Sequence, residues 1–171
     1  MYTIHDHIHR YSVWTAARAV QRGFITTEKI QTAIDASGLR KFAENPVLKN
    51  HQHFELLHRK WANQLMISLK RKKVDKTKVS YGRMAKIIAI YLKTSVILPA
   101  RGDTAVCALI HPPIDAILLK ELGKYPKMYH LRNYRWTSLN ETGYWKLCKD
   151  LINEVDHFDW RLEKYWKPTR N

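Results

Sequence analysis

Basic side chains and large aromatic rings alternate through the middle of this chain, most densely in Tyr125-Pro-Lys-Met-Tyr129-His-Leu-Arg132-Asn-Tyr134-Arg135-Trp136. Cations neutralise phosphates and flat rings stack on bases, so this pairing of residue types is the chemistry of polynucleotide binding. The segment from Asn45 to Asn140 holds eighteen Lys/Arg against five Asp/Glu, thirteen charges of the +15 net. A field of that sign and size selects a polyanion, and nucleic acid is the expected partner, DNA ahead of RNA. A second run, Arg71-Lys72-Lys73-Val-Asp-Lys76-Thr-Lys78, is too polar to pack and reads as a basic connector that touches phosphates. The Tyr125–Trp136 segment serves either as a base-stacking loop or as a flap whose tyrosines pack on the core.

Other groupings are weaker. His5, His7 and His9 lie together, and His51, His53 and His58 flank a helix start, but neither set has the closed Cys/His pattern of structural zinc. No metal and no cofactor is expected. Cys107 and Cys148 lack a CxxC partner and read as two buried, reduced thiols. Lys86 falls on the stripe Arg83, Lys86, Ile90, Lys93, spaced i, i+3, i+7, i+10, which reads as a solvent-facing row. Asp115 stands in a helix start, where the dipole favours a carboxylate.

The elements that must position these residues are helical throughout, because apolar residues recur at helical spacing and no stretch alternates cleanly. A first helix is expected over 6–22, with Gly23 as its stop. A second starts at a Thr26 or Thr27 cap and ends at Gly38. A long third spans about 49–72, with Phe54, Leu57, Trp61, Leu65 and Leu69 as its inner stripe. Ser80 caps the next, about 81–96, burying Met84, Ile87, Ile88, Tyr91 and Leu92. A short apolar piece follows at 105–110, then a helix with Pro113 at its first position ending near Gly123. Asn140 caps a helix to about 153, and an amphipathic piece covers 156–166. The expected architecture is all-α, one compact domain over 1–171 with seven or eight helices. An apolar fraction of 45% with six Trp and nine Tyr excludes disorder as a description of the chain. The start carries no secretory signal, and Lys86 and Lys93 interrupt the longest apolar stretch, so a soluble, cytoplasmic protein without a membrane partner is expected.

The pattern Tyr81-Gly82-Arg83-Met-Ala85-Lys86 opening one helix, then His111-Pro-Pro-Ile-Asp115 opening the next, resembles the helix-hairpin-helix DNA glycosylases, in particular the 8-oxoguanine DNA glycosylase type. Val79 to Leu122 carries the closer part of the likeness, about a quarter of the chain. The stretch His9-Arg10-Tyr-Ser-Val-Trp14-Thr-Ala16-Ala-Arg18-Ala19, with Trp136-Thr137, is similar to small uncharacterised bacterial proteins described as having that fold. One glycine, Gly82, stands where the superfamily's hairpin usually has two.

The resemblance implies a definite chemistry, DNA repair by base excision. A damaged base is flipped out of the duplex into a pocket. Lys86 attacks the anomeric carbon and forms a Schiff base, Asp115 stabilises the developing positive charge or activates a nucleophile, and His111 assists proton transfer. Backbone N–H groups around Ser80, Gly82 and Arg83 hold a phosphate at the helix start, helped by the Arg71–Lys78 run. Three readings stand at this point: a glycosylase; a non-catalytic DNA- or RNA-binding accessory or defence protein that keeps the fold; and, with no motif to carry it, a ribonuclease toxin or its neutraliser using His58 or His111.

Overall fold

A computed structural model describes residues 1–20 and 24–168; Gly23, the expected stop of the first helix, lies outside them. Among the described residues the chain is all-α, with no strand. Its helices are α1 (Ile4–Val20), α2 (Thr27–Ser37), α3 (Leu39–Glu44), α4 (His51–Lys70), α5 (Tyr81–Leu92), α6 (Ala116–Leu122) and α7 (Glu141–Glu154). Tight 3-10 turns fill several connections, and a π turn, Lys93–Ile97, extends α5.

Local chemistry explains most boundaries. Thr26, Asn50, Ser80, Asp115 and Asn140 each accept a hydrogen bond from a backbone N–H of the helix they open. Gly38 ends α2 with a φ of 84°, the left-handed conformation that favours glycine. The chain turns there straight into α3, a short helix that the apolar periodicity did not predict. Helix α6 starts at Ala116 rather than Pro113, because Asp115 is extended and acts as the cap itself. The 156–166 piece folds as a 3-10 turn, Trp160–Tyr165, held at its start by the buried Asp159 carboxylate.

Helix α5 is the hub. Ten of its twelve residues are buried, with α1 and α4 as its main helical partners and α7 and the Trp136–Ser138 turn also against it. A helix that is apolar almost all round belongs inside, and burying side chains such as Ile87, Ile88 and Leu92 stabilises the fold by roughly 1.5–3 kcal/mol each. The expected inward residues of α5, Met84, Ile87, Ile88, Tyr91 and Leu92, are all buried. Along α4 the inner stripe includes His58, while Leu57 is only partly covered. Cys107 and Cys148 are buried and form no disulfide. No helix among the described residues is long and apolar enough to cross a membrane.

Candidate functional site

Because α5 is covered on nearly every side, Lys86 does not sit on a solvent-facing row. It is 9% exposed, and its ammonium Nζ donates to Asp115 Oδ2 at 2.9 Å. The same Nζ lies 4.6 Å from the centre of the Trp136 ring, within cation–π range. Asp115 is 8% exposed and fully engaged. Its Oδ1 accepts from the Ile117 and Leu118 N–H groups at 2.9 and 3.0 Å, and its Oδ2 accepts from Trp166 Nε1–H at 3.0 Å as well as from Lys86. Burial pushes the Asp115 carboxyl up, but the Lys86 charge, the Leu118 N–H and the Lys86 and Trp166 hydrogen bonds outweigh it and hold the group below its ordinary value. The carboxyl is therefore held toward its ionised form, with the Lys86 Nζ directly beside it.

This pair lines a cleft of about 360 Å³. Arg18 and Val20 at the end of α1, Arg83 of α5, and the Trp136 and Trp166 side chains complete its walls. The cleft combines two cations, two indole rings and a buried ion pair, which suits an anionic ligand with a flat, aromatic part. Trp166 reaches it because the Trp160–Tyr165 turn before it is anchored by the buried Leu162 and by a Glu163–Lys93 ion pair. Sequence reasoning assigned no role in a site to Arg18 or to Trp166. The one signal for Trp166 is a tryptophan embedded in the basic run Lys164-Tyr-Trp-Lys167.

The helix start before Lys86 is not open to a phosphate as expected. Gly82 N–H donates to Leu139 O at 3.0 Å, and Arg83 N–H donates to Ser80 Oγ at 3.3 Å. Ser80 Oγ in turn donates to Thr137 O at 2.6 Å. A Cβ on Gly82 would fall 1.9 Å from Trp136 O. The glycine is there because the 136–139 segment lies directly on the first turn of α5, occupying the donors that the phosphate reading used.

His111 is also elsewhere. It is 3% exposed and sits in an aromatic core, with ring centres of Phe158 at 4.7 Å, Phe54 at 4.9 Å and Trp145 at 5.6 Å. Burial, with the neighbouring His58 and His51, holds it well below an ordinary histidine, so it is neutral and walled off from the cleft. His58 shares that core, stacked on Tyr144 and bonded to the Tyr81 hydroxyl at 3.1 Å, and burial lowers its pKa to about 3. Neither histidine lies on the surface, where acid–base chemistry on an RNA strand would need it.

The basic connector stands partly as expected. Arg71, Lys73 and Lys76 are exposed, while Lys72 and Lys78 are half-buried. Lys29 Nζ donates to Lys73 O at 2.6 Å, and Arg83 donates to Lys78 O at 2.9 Å, so the cleft residue Arg83 also holds the connector in place. The Tyr125–Trp136 segment divides. Tyr129, Arg132 and Arg135 are exposed, with Arg132 stacked over Tyr129 at 5.0 Å. Tyr134 instead donates to Asp150 Oδ2 at 2.9 Å and packs on α7, and Trp136 walls the cleft. At the N-terminus His9 is buried between the Tyr91 hydroxyl at 2.8 Å and Asp35 at 3.2 Å, whereas His5 is exposed. No cluster of metal-binding side chains occurs among the described residues. Comparisons with protein-family models, with curated proteins and with solved structures found no match.

Proposed function

We propose that the chain binds nucleic acid through its basic middle and takes an unstacked base into the cleft lined by Trp136 and Trp166, where Lys86 and Asp115 act in base excision. The observation that carries this reading is the convergence of Lys86 and Asp115, 29 residues apart, to 2.9 Å in a cation-edged, tryptophan-lined cleft. Charge alone selects the partner; a lysine and an aspartate converging in such a cleft supports a reaction.

In the proposed step the Lys86 ammonium passes a proton to Asp115, and the neutral amine forms a bond to the anomeric carbon. The bond from that carbon to the base breaks, and the base leaves with the electron pair and a proton. Sugar-ring opening leaves an iminium on Lys86, which hydride from borohydride reduces to a stable amine. Asp115, returned to its carboxylate, faces the positive charge that develops at the sugar. Arg18 and Arg83 hold the flanking phosphates, and the Arg71–Lys78 run extends that contact.

Incubation with duplex and single-stranded oligonucleotides containing 8-oxoguanine or uracil, followed by borohydride, tests the chemistry. A covalent adduct that disappears in Lys86→Ala is expected. No adduct from any substrate, or one that survives Lys86→Ala, overturns the lysine mechanism. The full engagement of Asp115 by four donors favours one second reading, a binding module in which the pair only shapes the cleft. In that case binding is salt-dependent and unchanged by Asp115→Asn, and no adduct forms.

A further inference from the structure

The outer face of α1 carries residues that the fold does not use. Tyr11 is 56% exposed and Trp14 51% exposed, their rings 5.8 Å apart and tilted by 31°. Arg18 follows on the same face, at i, i+3 and i+7 from Tyr11, and Arg10 lies beside it over the Tyr2 ring at 4.8 Å. The opposite face of the helix, through Val13, Ala16, Ala17 and Val20, provides its burial against the core. Large exposed rings on a helix already anchored elsewhere are unpartnered apolar surface.

Two observations select the occupant. The face is positive: the one acidic residue of α1, Asp6, is tied to Arg40 at 2.8 Å, which leaves Arg10 and Arg18 beside the rings. It is also continuous with the cleft, since Arg18 belongs to both, and the rise of an α-helix puts Tyr11 about 10 Å along the axis from Arg18. Aromatic faces bind bases only where those bases are unpaired, because in a duplex each face is already covered by its neighbours.

We infer that the outer face of α1 is a track for single-stranded nucleic acid, Tyr11 and Trp14 stacking on successive unpaired bases while Arg18 hands the strand to the Lys86–Asp115 cleft. This rests on the nucleic-acid reading above and narrows it: the bound strand is single or locally opened, not a closed duplex. The Arg71–Lys78 run, on the other flank of Arg83, then takes the backbone beyond the cleft.

Fluorescence anisotropy with a labelled oligothymidine and a blunt duplex of equal length tests it. Tyr11→Ala with Trp14→Ala weakens single-strand binding by about tenfold or more, since removing one stacking ring changes affinity by about 5- to 150-fold. Duplex binding changes by less than about twofold, because the phosphate contacts remain. Tyr11→Phe with Trp14→Phe keeps the rings and restores single-strand binding to near the parent value. Unchanged single-strand binding in the alanine pair, or equal losses on both ligands, overturns the track. So does a dimer in sedimentation that the alanine pair dissolves, because a second copy of the chain then covers the rings. If the parent protein binds neither ligand, or binds without salt dependence, the nucleic-acid reading itself fails.

Discussion

Replacing Asp115 by Asn removes one charge from the buried pair while keeping the shape of the side chain and its cap on α6, because Asn caps a helix about as well as Asp. What disappears is the charge that faces Lys86 and accepts from Trp166. Removing one partner of a fully buried ion pair costs about 3–5 kcal/mol. Here one side of the pair opens on the cleft, so water can reach the orphaned ammonium and the cost falls to about 2–3 kcal/mol. At about 2–4 °C per kcal/mol for a domain of this size, thermal unfolding followed by circular dichroism shifts down by about 4–12 °C. Lys86→Met costs less, about 1–2 kcal/mol, because Asp115 keeps its bonds from Ile117, Leu118 and Trp166. With both replaced no unpaired charge remains, and the combined loss falls short of the sum by about 1–2 kcal/mol. Additive losses, or an Asp115→Asn variant with an unchanged midpoint, would refute the reasoning by showing that the two charges do not depend on each other.

Acid destabilises the fold before the carboxylates titrate. His58 and His111 are neutral in the native core and gain protons on unfolding near pH 6.5, so their contribution is complete well above that pH and is lost as the pH falls through it toward their lowered native values, about 3 for His58. Two such groups remove roughly 3 kcal/mol between pH 7.5 and 5.5, measurable as a falling urea midpoint; a flat midpoint over that range contradicts their burial. Asp115, held below its ordinary value, adds a further loss only below about pH 4. Gly82→Ala drives a methyl into Trp136 O and should displace the 136–139 segment, lowering the unfolding midpoint by several degrees; an unchanged midpoint would mean that segment is not seated on α5. Ser80→Ala removes the α5 cap and the bond to Thr137 O, lowering stability by about 1–2 kcal/mol in denaturant titrations. Neutralising Lys72, Lys73 and Lys76 reduces the slope of log affinity against log salt by about 0.9 for each duplex phosphate left without its lysine; an unchanged slope removes the connector from the interface.

Most of the helices, their caps and the net charge were legible in the linear order of residues. Thr26, Ser80 and Asn140 cap as expected because a capping side chain acts on N–H groups within its own first turn. Net charge is a sum over the chain and needs no fold. The departures share one cause, the covering of a side chain by distant segments. Lys86 fits a solvent-facing row on α5 until the 136–139 segment and Asp115 close over it. Gly82 looks like the glycine of a phosphate-binding turn until Leu139 takes its N–H. His58 and His111 look like available acid–base groups until Phe54, Tyr144, Trp145 and Phe158 enclose them.

What the residues alone determine is a basic, all-α chain with a lysine and an aspartate near two successive helix starts. Which of those groups meet is decided only in three dimensions. Asp115 finds Lys86 across 29 residues and Trp166 across 51, distances over which no propensity or periodicity acts. Local rules end within a turn or two of helix, whereas the charge state and reach of a buried group depend on everything packed against it.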